Sequence, residues 1–212
     1  MPEIVAITSG DQQSSGLIAD RTVRSGMSAY ATILDQYERR AKRDRAAANR
    51  QLEQAVVDLA ARLHWQSSGP DTELLMFSDG ANDCLFDATN ERTVLMYGRS
   101  KAIPPNSRDT PYHQGYPRAG DGYDKGHALS HAQGGLEGGP NYFKQKCSVN
   151  QRRSAAGNLW RDIETYLAAN AGVFAFVRLI YRPGESGEMP FEAEYGILNG
   201  PGQFRTVIFP NR

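Results

Sequence analysis

Between Ser25 and Trp65 the chain contains no proline and only one glycine, Gly26. The stretch is rich in alanine, arginine, glutamine and leucine, all good helix formers. Ile33, Leu34, Tyr37 and Ala41 make one apolar stripe, and Leu52, Val56, Leu59 and Leu63 make a second at i, i+3/i+4 spacing. Residues 25–66 therefore read as a long helical appendage that carries no chemistry of its own. Arg39, Arg40, Lys42, Arg43, Arg45 and Arg50 crowd the section between the stripes, and the plain reading of such a run is a solvated helix face. Residues 1–24 are polar and mixed and read as a leader.

Ser67-Ser68-Gly69-Pro70-Asp71 closes the helical region. Strands are expected at Leu74–Ser78, Cys84–Asp87, Thr93–Tyr97, Val173–Tyr181, Phe191–Leu198 and Thr206–Phe209, set apart by glycine, proline and asparagine turns. A helix is expected over roughly Ala155 to Asn170. Lys101 to Asp124 is loop chemistry, with Pro104-Pro105, Pro111 and Pro117, and loops of that length in a compact domain tend to serve function. Gly134-Gly135-Leu136-Glu137-Gly138-Gly139-Pro140 lacks the Lys-Ser/Thr of a phosphate-binding loop and reads as a spacer. Strands, a functional loop, a helix and strands again make an α+β fold, with residues 70–212 as its main domain.

The chain has 212 residues with 24 basic and 24 acidic side chains, so its net charge neither demands nor excludes a nucleic-acid partner. The N-terminus shows no basic, then apolar, secretory pattern, and no apolar run reaches transmembrane length. The expected location is cytoplasmic, or outside the cell by a signal-independent route. Cys84 and Cys147 are too far apart in sequence for a C-x-x-C site. They are free or pair once, and nothing points to an oxidising compartment.

Chemistry concentrates in Asp124-Lys125-Gly126-His127, followed by Asn141, by Asn150 nine residues on, and by Trp160 and Glu164 one helical turn apart. A histidine can take a proton from water near neutral pH. A hard cation such as Mg²⁺ takes oxygen ligands and keeps several waters, so one asparagine and a helical carboxylate suffice to hold it. These are the parts of a one-metal phosphodiesterase.

The set resembles the DNA/RNA non-specific endonuclease family, whose active site is a ββα-metal (His-Me) finger. The resemblance spans roughly residues 74–182 and rests on the combination: Asp-Lys-Gly-His for the family's Asp-Arg-Gly-His, the nine-residue asparagine spacing, Gln145, and Trp160-x-x-x-Glu164. It implies a ββα-metal core with a central, mainly antiparallel sheet and a metal-dependent endonuclease acting on DNA or RNA. His127 would be the general base, with Asn150 and Glu164 on Mg²⁺ or another divalent ion such as Mn²⁺, and Lys125 and Asn141 supporting catalysis. Trp160 would anchor the helix in the core. Domains of this kind often end bacterial toxins, so the resemblance also suggests an antibacterial effector with an immunity protein. Self-association through the N-terminal helix is a further expectation.

Two departures matter. Asn150 and Trp160 lie ten residues apart, where the family places its metal asparagine four before the tryptophan, a position held here by Ala156. Either Gln151 to Ala156 is an insertion, or Asn158 has taken the ligand role; the nine-residue spacing and Gln145 favour Asn150. Lys125 in place of arginine keeps the charge but loses the bidentate fork.

Between Glu137 and Asp162 no acidic residue occurs, while Lys144, Lys146, Arg152, Arg153 and Arg161 are basic, an electrostatic footprint suited to phosphate contact without base reading. His131, four residues after His127, could pair with it on zinc, but a zinc peptidase wants glutamate where Ala128 stands. His64 and His113 read as structural. The alternative function is a retired nuclease fold that binds nucleic acid or an assembly partner, with Arg39–Arg50 as its contact.

Overall fold

The long proline-free stretch does become helix, but as two packed helices. In a computed structural model that describes residues 23–104, 107, 120–199 and 203–212, α1 spans Ala31–Ala41 and α2 spans Arg45–Ser68. The break falls at Lys42–Asp44, where the Asp44 side chain accepts the Ala47 N–H at 2.9 Å and caps α2, satisfying a backbone donor that the helix cannot. The Tyr37 hydroxyl donates to Asn49 across the turn.

Seven strands form one sheet in the order β1-β9-β8-β7-β4-β3-β2, every neighbouring pair antiparallel. They are β1 (Arg24–Ser25), β2 (Leu74–Ser78), β3 (Asp83–Asp87), β4 (Arg92–Arg99), β7 (Phe174–Ile180), β8 (Glu192–Leu198) and β9 (Phe204–Pro210). A separate ribbon pairs β5 (Tyr123–His127) with β6 (Tyr142–Lys146), and the short α3 (Cys147–Asn150) and the longer α4 (Ala155–Ala169) follow it.

The sheet is buried on both faces, which is why β7 reads as an almost unbroken apolar run. Phe174 and Phe176 turn to one face and join Leu52, Val56 and Leu59 of α2 with Tyr30 and Phe204. Ala175, Val177 and Leu179 turn to the other and join Phe143, Trp160 and Leu167. The appendage expected at 25–66 is thus corrected: α2 is a covering layer of the same domain, because its apolar stripe buries the second face of the sheet. The basic side chains from Arg39 to Arg50 point to solvent, as a solvated helix face requires. Among the described residues the exposed large apolar side chains are Trp65 near the end of α2, Leu136, and the run Leu75, Met76 and Phe77 on the edge strand β2.

Strand positions fall close to those expected from sequence, with Leu74–Ser78 matching to the residue. Cys84 and Cys147 are both free, and burial pushes the Cys84 thiol up to about 12. Among the described residues no helix is long and apolar enough to cross a membrane. The leader through residue 22, His113 with most of the loop before Gly120, and the turn at residues 200–202 lie outside the described residues.

Candidate active site

Gly126 is fixed by its neighbour across the ribbon. β5 and β6 pair with Asp124 opposite Gln145, Lys125 opposite Lys144, Gly126 opposite Phe143 and His127 opposite Tyr142. A Cβ on Gly126 would sit 2.3 Å from Gln145 Oε1, so only glycine lets that side chain lie across the strand. Strand alternation then gives the ribbon two chemical faces. Phe143 lies 6.2 Å from the Trp160 ring on the face toward α4, which also receives Asp124 and Gln145. Lys125, His127, Tyr142, Lys144 and Lys146 belong to the opposite face.

His127 ends β5 with its ring edge-on to Tyr142 at 4.7 Å. Its Nε2 is 3.1 Å from Glu137 Oε2. The Tyr142 hydroxyl donates to the same carboxylate oxygen, and His131 Nδ1 lies 3.8 Å from the other. The Lys125 ammonium sits 4.8 Å over the Tyr142 ring; burial lowers its pKa from the ordinary value, and Glu137 opposes that. Ser107 Oγ is 3.1 Å from His131 Nε2. Glu137 is the residue that sequence reasoning missed. It belongs to the glycine-rich loop read as a spacer, and only the loop's closure brings it to His127.

That closure has identifiable causes. The Leu129 N–H donates to Asn141 Oδ1, and Asn141 Nδ2 donates to the Leu129 and Leu136 carbonyls, each at 2.9 Å. A Cβ on Gly135 would meet the Leu129 carbonyl oxygen at 1.8 Å, so the loop folds this tightly only with glycine there. Asn141, 1% exposed, spends its whole amide on the backbone after His127. Its contribution is to the shape of the loop.

On the α4 side, Asn150 Nδ2 donates to Asp124 Oδ2 at 3.1 Å and Gln151 Nε2 donates to the same oxygen at 2.7 Å. Burial pushes the Asp124 carboxyl up, but hydrogen bonds from Asn150, Cys147 and Gln151, with Arg153 nearby, outweigh it and hold the group below its ordinary value. Of the residues suspected as an insertion, Gln151 to Ser154 make the turn between two helices and Ala155 and Ala156 begin α4, so Asn150 ends α3 while Trp160 and Glu164 lie on α4. Asn158 is exposed on α4. Ser154 caps α4 by accepting the Gly157 N–H at 3.0 Å.

Glu164 is buried. Its Oε1 accepts Trp160 Nε1–H at 3.0 Å, and its Oε2 pairs with Arg161 at 3.0 Å. Burial raises its pKa above the ordinary value, against Arg161 and the Trp160 hydrogen bond. Trp160 is a core residue, packed edge-on against Tyr195 and Phe209, as expected of a helix anchor.

The fit of these residues to a divalent cation can be judged from three groups. With Nδ2 committed to Asp124, Asn150 keeps its amide oxygen, the atom a hard cation takes. Gln145, 1% exposed, has neither its side-chain oxygen nor its nitrogen partnered among the described residues, and buried amides of this kind call for a water or an ion. Glu164, by contrast, has both oxygens engaged by protein donors. Among the described residues no three His, Cys, Asp or Glu side chains form a metal-holding group. Among the described residues, the donors open to a hard, largely hydrated cation are therefore the Asn150 amide oxygen and the Gln145 amide.

The basic footprint divides between the two sides. Lys144 and Lys146 lie on the His127 face of the ribbon, whereas Arg152, Arg153 and Arg161 belong to α3–α4 and their turn. Lys144 pairs with Glu188 at 3.4 Å, Arg152 with Asp162 at 3.5 Å, and Arg161 with Glu164. The acid-free sequence window gave no sign of Glu188, which folding brings in from another segment.

No protein-family model matches the chain, and no curated protein matches it. Among solved structures it is similar to one described as the Sda1 nuclease with bound zinc ion, at 17% identity and a TM-score of 0.36. The match covers 45% of this chain and 40% of that one, so this chain aligns with well under half of that structure.

Proposed function

We propose that the chain is a metal-dependent phosphodiesterase that cleaves DNA or RNA without reading sequence. The observation that carries this reading is one spatial arrangement. A histidine ends the first strand of a β5–β6–α3–α4 unit, and the helical arm of that unit returns Asn150 to Asp124, three residues before the histidine.

In this reading His127 takes the proton of the attacking water, within the range where imidazole works at neutral pH. Lys125 and Lys144, cross-strand partners on the His127 face, neutralise the phosphate oxygens as point charges. Asn150 would hold a Mg²⁺ through its amide oxygen, Gln145 would hydrogen-bond the waters such an ion retains, and Glu164 would join them only by giving up Trp160 or Arg161. Such an ion, when bound, would supply charge relief to the phosphoryl group and its leaving oxygen. Asn141 keeps the loop after His127 in shape. Contacts of this type go to the backbone of the nucleic acid, which is why no base preference is expected.

A second reading, a retired nuclease that only binds, is favoured by the engagement of both Glu164 oxygens. One experiment separates the two. Purified protein is incubated with plasmid and with RNA, with Mg²⁺, with EDTA, and as His127→Ala. Mg²⁺-dependent cleavage lost in both controls supports the enzyme. Nucleic-acid binding with no cleavage under any divalent ion supports the retired fold.

A further inference from the structure

We propose that Glu137 is a positioning residue for His127: its carboxylate accepts the Nε2–H, holds the ring against Tyr142 and stabilises the imidazolium formed when His127 takes a proton. This rests on the reading of His127 as general base.

A neutral imidazole carries one proton, and the hydrogen bond made by one ring nitrogen decides which it is. With Nε2 3.1 Å from Glu137 Oε2, the proton stays on Nε2 and the basic lone pair on Nδ1. The Tyr142 hydroxyl donates to the same oxygen, fixing the carboxylate as well as the ring that it serves. The side chains of His127 and Glu137 are 9% and 5% exposed, so the pair is screened little by water. A carboxylate that orients a catalytic histidine is worth most in such a place.

The loop is built to make this meeting. Asn141 gathers the Leu129 and Leu136 backbone, and Gly135 allows the close approach to Leu129. Together they fold residues 128–136 back so that Glu137, ten residues after His127, returns to it. Among the described residues, the titratable groups facing His127 are Glu137 and Tyr142, with Lys125 and His131 behind them. His131 is the rival claimant on the carboxylate, since its Nδ1 is 3.8 Å from Oε1.

The sign follows from charge. A carboxylate beside the ring favours imidazolium, so the base loses its proton at higher pH with Glu137 than without it. The test compares wild type, Glu137→Gln, Glu137→Asp and His131→Ala. It measures kcat, KM and their pH profiles on plasmid with Mg²⁺. The His127 ring is also titrated by NMR in metal-free protein without nucleic acid, the signal being identified by its loss in His127→Ala.

Glu137→Gln is expected to lower kcat on the order of 10- to 100-fold, the scale for losing an orienting partner of an imidazole, with KM little changed. The acid limb of the rate profile and the NMR midpoint should both move down by about one pH unit. Glu137→Asp should move them the same way by less, and His131→Ala should leave the midpoint in place. An unmoved midpoint in Glu137→Gln, or an equal move in His131→Ala, overturns the assignment. If Glu137→Gln does not fold, a Glu137→Asp protein with wild-type kcat and midpoint overturns it. A midpoint that shifts in a protein that cleaves nothing supports the pairing and rejects the nuclease reading instead.

Discussion

Asn150 Nδ2 donates to Asp124 Oδ2 at 3.1 Å, joining the end of α3 to the second residue of β5. The bond selects one of the amide's two ends. An asparagine free to rotate offers nitrogen or oxygen, whereas one tied through its nitrogen presents oxygen, and only oxygen suits a hard cation.

Asn150→Ala is therefore expected to lower Mg²⁺-dependent cleavage by at least about 10-fold, the lower range for disturbing a metal's ligand shell. Asn158→Ala, at an exposed position on α4, should keep most of the activity. Initial rates on plasmid over a range of Mg²⁺ concentrations measure both. Loss in Asn158→Ala alone would transfer the ligand role across the α3–α4 turn.

The same bond predicts a pH dependence of stability. Asp124 has its pKa lowered in the folded protein, so its contribution is complete above the unfolded carboxylate pKa of about 3.9. It is lost as pH falls through the lower, folded value. Asp124→Asn should therefore be less stable than wild type at neutral pH, with a gap that narrows as the medium is acidified below the ordinary carboxylate range. Urea unfolding at several pH values measures it. A gap that widens toward acid would mean that the carboxylate is not held ionised by its donors.

Trp160 is enclosed by Phe143, Tyr195 and Phe209 and donates to Glu164. Trp160→Ala should cost about 3–5 kcal/mol, the range for emptying an aromatic site in a packed core. It also strands a buried carboxylate oxygen. Denaturant unfolding gives the number directly, and a cost within error of zero would remove Trp160 as the anchor of α4.

The elements that sequence revealed are those whose burial is simple. β7 announces itself because both of its faces are covered, and α2 because Leu52, Val56 and Leu59 repeat on one side. The ribbon did not. β5 reads Tyr-Asp-Lys-Gly-His, and on its inward face the packing residue at Gly126 is supplied by Gln145 from the other strand. The covering role of α2 was hidden for a related reason, since a stripe shows that a helix is buried without showing against what. Of the candidate site, His127, Asn150 and Glu164 are singled out by the motif resemblance, yet nothing in the sequence points to Glu137 beside His127. Its role depends on a loop closure made by Asn141 and Gly135, and no local pattern states where a glycine-rich loop returns.

Lys144 and Lys146, on the ribbon face with His127, predict how binding responds to salt. For a cleavage-inactive variant, log affinity for unrelated duplexes should fall linearly with log salt, by about 0.9 for each phosphate neutralised. Lys144→Ala and Lys146→Ala should each reduce that slope by roughly one and weaken binding evenly across sequences. Fluorescence anisotropy at several salt concentrations tests this. Preference for one sequence, or affinity indifferent to salt, would rule out backbone recognition.

His127 carries the central prediction. If His127 is the general base proposed, its replacement by alanine should lower cleavage by at least about 10²-fold, the usual scale for losing a positioned base. The variant should still fold, because His127 ends a strand and the ribbon's inward packing comes from Phe143 and Gln145. It should still take up Mg²⁺, because the proposed ligand is the amide oxygen of Asn150 and not the imidazole. It should bind DNA almost as tightly, since Lys144 and Lys146 are untouched. A zinc site shared by His127 and His131 predicts otherwise, with tightly held metal released by either His127→Ala or His131→Ala and the two equally damaging. Metal content, DNA affinity and cleavage measured on both variants separate the two chemistries, and near wild-type cleavage by His127→Ala would reject the mechanism.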